Sequence, residues 1–235
     1  MRDQGAAEPA QTSLEKDISV VAEAWAASRY YVEAEQWTHL FWAESTPFRR
    51  FFNRLDLTSV VELACGHGRH AANIVRAAGS ITMIDIFDQN LEACRNRLGG
   101  YPNVSFVKGD GSTFRPVEDN STTAVFCYDA MVHFSPEMVR AYLEDAARIL
   151  RPGGMALFHH SNYPAPPDRH YGKNPHARNH MTLALFAGMA EHAGLPVTEA
   201  VTLPWGGVAD LDCLSLLTKP GTHSQAERPR PTPIA

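Results

Sequence analysis

The sequence predicts an α/β fold: a doubly wound, mostly parallel seven-stranded sheet with helices on both faces and a closing antiparallel hairpin. Three observations carry this. From residue 57 to about residue 194, short apolar runs alternate with helix-period stretches, the rhythm of βαβ units whose strands are buried on both faces. A glycine turn, Gly66-His67-Gly68, joins the first apolar run to the stretch that follows. Two late runs, 197–203 and 211–217, lie close enough to pair as a hairpin.

Taken in order, residues 1–13 read as a disordered leader and 220–235 as a disordered tail. Both are polar or rich in Pro and Gly, with too little apolar surface to offset ordering entropy. Residues 14–56 read as an N-terminal helical cap in which Trp25, Tyr30, Tyr31, Trp37, Phe41 and Trp42 lie among Val20, Val21, Ala24 and Leu40. Its aromatics either pack on the domain as an amphipathic helix pair or face a ligand as a lid; Tyr31 and Trp42 are the candidate substrate contacts. The main domain spans 57–219. Strands are expected over 59–64, 81–86, 104–108, 123–128 and 155–160, and helices over 69–78, 89–98, 136–150 and 181–193. Gly79 and Gly99 stand where helix C-terminal glycines belong. Asp88 is placed to cap one helix, and Ser135-Pro136 to open the next.

Composition narrows the function classes. A formal charge of -5 argues against a protein that grips nucleic-acid phosphates. Cys65, Cys94, Cys127 and Cys213 show no paired spacing and read as reduced thiols of a cytoplasmic protein. No apolar run approaches the roughly 20 residues needed to cross a bilayer, and the first residues lack the apolar core of a secretion signal. The expected partner is a small molecule, without nucleic acid or membrane; the oligomeric state stays open, a homodimer included.

The functional signal lies in Glu62-Leu63-Ala64-Cys65-Gly66-His67-Gly68-Arg69. Glycine is needed where the backbone bends sharply and must admit a ligand without a Cβ in the way, and the N–H groups of the following turn favour a carboxylate or phosphate. Alone, the turn is ambiguous. Gly66, Gly68 and Ala71 also fit a dinucleotide fingerprint, with Asp85 in place to hold a ribose. Three further features separate the readings: Glu62 ahead of the turn, Asp110 after the third strand, and Arg151-Pro152-Gly153-Gly154 before the fifth.

This set resembles the class I, Rossmann-like S-adenosylmethionine-dependent methyltransferases, in particular their small-molecule branch, over about residues 60–158. The resemblance implies S-adenosyl-L-methionine as cofactor and methyl transfer to an oxygen or nitrogen of a small molecule, with natural-product biosynthesis an extension by fold analogy. It implies that Glu62, Ala64, Gly66 and Gly68 form the cofactor loop and that Asp85 binds the ribose. Ile86 would pack on the adenine, Asp110 and Gly111 meet its edge, and Tyr128 lie beside the methionine part. Ala64 departs from the pattern, since many members have glycine there. The competing readings are an NAD-dependent oxidoreductase on the same loop and a non-catalytic cofactor-binding module.

Methyl transfer from a sulfonium is an in-line displacement, in which alignment can supply roughly 7–11 kcal/mol. A nucleophile that must also lose a proton needs a base, and a histidine suits that task. After the fourth strand come Tyr128-Asp129-Ala130-Met131-Val132-His133. In related enzymes this segment borders the transfer site. His133 is the candidate base, with a structural role as its alternative, and Asp129 either seats a ligand or acts as base. Five of the eleven histidines fall between 159 and 180, starting at the fifth strand's end, the edge where such sheets bind ligands. Residues 162–180 are expected to form a substrate lid, with a solvated loop as the plainer alternative. His159, His160, Asn162, Arg178 and Asn179 are its candidate contacts. No metal is expected, because adjacent strand positions such as His159 and His160 point to opposite faces.

Overall fold

A computed structural model of the chain describes residues 11–166 and 169–221. Most of the expected leader and tail (1–10 and 222–235), and residues 167–168 of the expected lid, lie outside the described residues.

Seven strands form one sheet: β1 (Val60–Leu63), β2 (Ile81–Asp85), β3 (Val104–Lys108), β4 (Thr122–Cys127), β5 (Leu150–Ser161), β6 (Val197–Trp205) and β7 (Val208–Thr218). Their order is β3-β2-β1-β4-β5-β7-β6. The first five run parallel, while β7 lies antiparallel to both β5 and β6. This is the predicted fold class. Every residue of β1 and β4 is buried, and successive side chains feed opposite cores. Val61, Val125 and Phe158 face one cluster; Val60, Phe126 and Leu157 face the other. That is the period of two at work on a sheet covered on both sides. The chain reverses direction across the sheet between β1 and β4, so the crevice at their C-terminal ends is where the topology leaves room for a ligand.

The helix α7 (Pro136–Ile149) forms as expected. Ser135 accepts a hydrogen bond from Met138 N, Pro136 occupies the first turn, and Met138, Val139, Tyr142, Leu143, Ala146 and Ile149 are buried along one face. The helix α8 (Leu183–His192) starts at the cap Thr182. Other elements depart from expectation. The helix after the glycine turn, α5 (Ala71–Ile74), has only four residues. Gly79 is therefore no helix end; its N–H bonds Leu57 O at the entry to the sheet. In α6 (Asp88–Leu98), Phe87 holds the capping position and makes no side-chain bond. Asp88 instead sits 2.6 Å from Lys108.

The N-terminal cap is a chain of short pieces rather than a helix pair. It comprises α1 (Ser13–Trp25), α2 (Tyr30–Glu33), a 3-10 turn Ala34–Trp37, α3 (Thr38–Phe41) and α4 (Pro47–Phe52). Thr12 and Glu15 close a reciprocal capping box at the start of α1, so the helix reaches into the expected leader. Phe48, Phe51 and Phe52 of α4 are buried against the sheet and anchor the cap's end, while α1 packs on α7. Among the described residues, no helix is long and apolar enough to cross a membrane.

Candidate active site

At the C-terminal ends of β1, β2 and β4 lies a cavity of about 990 Å³, its open mouth included. Its floor is the turn after β1. Ala64 (φ 53°), Gly66 (φ 54°) and Gly68 (φ 73°) all adopt left-handed backbone. A Cβ at Gly66 would sit 3.2 Å from the Tyr31 ring, and one at Gly68 would sit 2.9 Å from Met83 Cε. Glycine thus lets the cap close on one side of the turn and β2 pack on the other. Asp85 ties the turn to β2: Oδ2 accepts from Gly66 N at 2.8 Å, and Oδ1 accepts from Phe87 N and Asn90 Nδ2. Burial raises its pKa against the pull of these bonds. From below, Cys94 Sγ donates to Gly66 O at 3.1 Å and lies 3.7 Å from Cys65 Sγ.

The cap supplies the roof. Tyr31 stacks on His67 with ring centres 5.4 Å apart, and burial pushes its hydroxyl pKa up to about 12. Tyr30 donates its hydroxyl to Asp129; burial and that carboxylate raise its pKa strongly. Arg69, from the glycine turn, bonds Ala34 O at 3.0 Å and pairs with Asp129 at 2.9 Å. Trp25 covers His133 at 4.4 Å between ring centres.

The residues after β4 line the cavity's other end. Asp129 has a left-handed backbone, φ 64°. His133 sits in a 3-10 turn, Met131–His133, with Nδ1 2.8 Å from Ala177 O. A carbonyl only accepts, so the proton is on Nδ1 and the lone pair on Nε2. Burial lowers the His133 pKa to about 4, so the ring is neutral at pH 7. His70 also lines the cavity. Its Nδ1 accepts from Trp42 Nε1 at 3.1 Å, which puts its proton on Nε2. That buried N–H finds no acceptor among the described residues, and burial, then Arg69, hold the ring neutral.

Of the sequence-derived candidates, Ala64, Gly66, Asp85, Ile86, Gly111, Tyr128, Asp129, His133 and Tyr31 line this one cavity. The others do not, and each for a visible reason. Glu62 is buried beneath the loop, bonds Ala71 N at 3.1 Å, and is pushed by burial to a pKa of about 8. Gly68 packs against β2. Asp110 uses its carboxylate on its own turn, accepting from Ser112 N, Thr113 N and Thr113 Oγ1. Trp42 packs on Phe48 and Phe52. His159 lies behind Tyr128, stacked at 4.5 Å. His160 faces the opposite side of the sheet, stacked on Phe186 at 3.7 Å and bonded to Ser215.

In the histidine-rich segment the expected substrate contacts are engaged within the protein. Asn162 bonds Asp210 O and Leu183 N, and Asn179 bonds His133 O and Val132 O. Arg178, expected as an anion anchor, is 2% exposed and grips Asp212 through two nitrogens. Sequence reading passed over Arg69, His70 and Trp25 as site residues. Arg69 and His70 directly follow the glycine turn, and that position was the available signal.

The strand order, with a glycine turn after β1 and a carboxylate ending β2, is the Rossmann-like fold found in class I S-adenosylmethionine-dependent methyltransferases. Residues 60–154 match a family described as a methyltransferase domain. More particular likenesses are partial. The chain is 34% identical over 111 residues to a probable phthiotriol/phenolphthiotriol dimycocerosates methyltransferase 2 of Mycobacterium ulcerans, covering 46% of this chain and 42% of that one. It thus spans less than half the length of that relative. With the demethylmenaquinone methyltransferase of Tropheryma whipplei it shares 26% identity over 64% of this chain and 71% of the other. In fold it resembles geranyl diphosphate C-methyltransferase from Streptomyces coelicolor A3(2), a structure containing S-adenosyl-L-homocysteine. The TM-score is 0.65 at 13% identity, covering 90% of this chain and 100% of that one. The cofactor this class implies fits the residues present. Ala64 and Gly66 line the cavity floor, Asp85 lies buried on its wall, and the His70 N–H is a buried donor without an acceptor among the described residues.

Proposed function

We propose that the chain transfers a methyl group from S-adenosyl-L-methionine to an oxygen or nitrogen of a small molecule. The observation that supports this best is that the glycine turn, Asp85 and His133 line one cavity under one roof. The cofactor, when bound, supplies an electrophilic methyl on a sulfonium; the rest is the work of this chain. Ala64 and Gly66 hold the backbone open at the floor, Asp85 offers acceptors to a diol, and Ile86 and Gly111 flank a flat ring. Arg69, Asp129 and the His70 N–H present charge and a donor to the polar end. Glu62 and Asp110 act through the shape of the loops they tie.

His133 is the proposed base. With its pKa held near 4 by burial, it takes a proton only as the attacking atom becomes acidic through bond formation. The proton passes from that atom to Nε2, giving an imidazolium that later releases it to water. Asp129 orients the acceptor and stabilises that imidazolium, and Tyr31 closes the roof. The acceptor is read as a metabolite, with natural-product tailoring one such role and the cytoplasm as the compartment.

Calorimetry tests the reading. The protein is expected to bind S-adenosylhomocysteine, and Asp85→Ala to weaken that binding at least about tenfold, since hydrogen bonds to a charged group are worth about 1.5–3 kcal/mol each. Binding of NAD in place of S-adenosylhomocysteine would replace methyl transfer by hydride transfer as the function.

A further inference from the structure

One buried carboxylate outside the cavity connects to both groups at its reacting end. Asp212, on β7, is fully buried. Its Oδ1 accepts from Arg178 Nε at 2.7 Å, and its Oδ2 accepts from Arg178 Nη2 at 2.6 Å and from His159 Nε2 at 3.1 Å. Burial alone would raise its pKa, but the bonds from Arg178 and His159 outweigh that and hold it at about 2. An ion pair in such a place costs desolvation that an apolar pair would avoid, and a role in fixing one conformation is the attested reason to keep one.

Two chains of bonds leave this carboxylate. Through His159, Nδ1 accepts from the backbone N–H of Asp129 at 3.1 Å. A backbone N–H only donates, so His159 carries its proton on Nε2, toward Asp212. That bond holds Asp129 in its left-handed conformation, a strained state for a residue with a Cβ. Through Arg178, Nη1 donates to His176 O at 3.0 Å. His176 (φ 48°) and Ala177 (φ 53°) are consecutive left-handed residues, and the turn they make delivers Ala177 O to His133 Nδ1. The Trp205 ring covers both branches, 4.9 Å from the Arg178 guanidinium and 5.5 Å from the His159 ring.

We propose that Asp212 is a positioning residue: through His159 it sets the backbone of Asp129, and through Arg178 it fixes the proton of His133 on Nδ1, leaving Nε2 free to accept. The importance of this arrangement rests on the roles proposed for Asp129 and His133, but the arrangement itself can be read without methyl transfer. The expected lid is then a cradle for the base, held from behind.

Ring-nitrogen NMR of the full-length protein reads the tautomers directly. The wild type is expected to show His133 protonated on Nδ1 and His159 on Nε2. In Asp212→Asn, which keeps shape but loses the charge, His133 is expected to move toward the Nε2-protonated form that an unconstrained imidazole prefers, and His159 to lose its fixed tautomer. Arg178→Lys keeps the charge but loses the two-pronged grip; it should shift His133 while leaving His159 unchanged. It also decides the matter if Asp212→Asn does not fold. Folded variants with lower thermal stability but wild-type tautomers would overturn the proposal and leave Asp212 a structural residue. A wild type that binds no S-adenosylhomocysteine would overturn the methyltransferase reading and leave the tautomer result standing.

Discussion

Ala64 lies on the cavity floor with φ 53°, where a left-handed conformation costs an L-residue roughly 1–2 kcal/mol. Glycine would relieve that strain and give back about 0.5–1 kcal/mol in chain entropy. Ala64→Gly is therefore expected to raise stability by up to about 1 kcal/mol, read as a higher urea midpoint at unchanged slope; a lower midpoint would show that the methyl group packs usefully here. The departure from glycine was legible in the sequence; the strain was not, because it rests on the left-handed φ that only the structure gives. The pairing of Arg69 with Asp129 was not legible, because 60 positions separate them and neither local period nor motif spacing reports such contacts. Arg178 and Asp212 were hidden the same way, 34 positions apart. The opposite fates of His159 and His160, by contrast, follow from the period of two on a strand.

At the scale of elements, the sheet was legible and the cap was not. Strands buried on both faces announce themselves as continuous apolar runs, and the hairpin of β6 and β7 formed from the two late runs. The stretch over 14–56 carries helix-period apolar residues, yet helices as short as α2 and α3 are not set by propensity; tertiary contacts decide where they break. Those contacts include Tyr30 on Asp129, Tyr31 on Gly66, Ala34 O on Arg69, and Glu35 on Arg97 at 2.7 Å. Tyr30→Phe removes one bond to a charged group, and about 1–3 kcal/mol of cap closure with it. Hydrogen exchange should show faster exchange across α1–α3 while the sheet is unaffected. Uniformly faster exchange would mean that cap and domain open as one unit.

For the whole molecule, the buried neutral histidines set the response to acid. Folding lowers the pKa of His133 to about 4 and of His160 to about 3, and holds His70 well below its ordinary value, in each case chiefly through burial. The unfolded chain binds these protons near pH 6.5 and the folded one does not. Stability present above pH 6.5 is thus lost as pH falls, by about 1.4 kcal/mol per pH unit for each histidine. Glu62, protonated in the fold up to about pH 8, and Asp85, raised by burial, act in the opposite sense, and the three histidines outweigh them. The thermal midpoint should therefore drop steeply between pH 6.5 and 5, and His160→Gln should flatten the drop; a flat profile would mean that water reaches these rings. Tyr31 lies against Gly66 and Tyr30 is bonded to Asp129, so the roof is fastened to the same residues that form the cavity wall. The consequence is kinetic. On the function proposed above, a spent cofactor would leave only as often as the roof lifts, and its residence time, rather than the displacement at the methyl, would limit turnover.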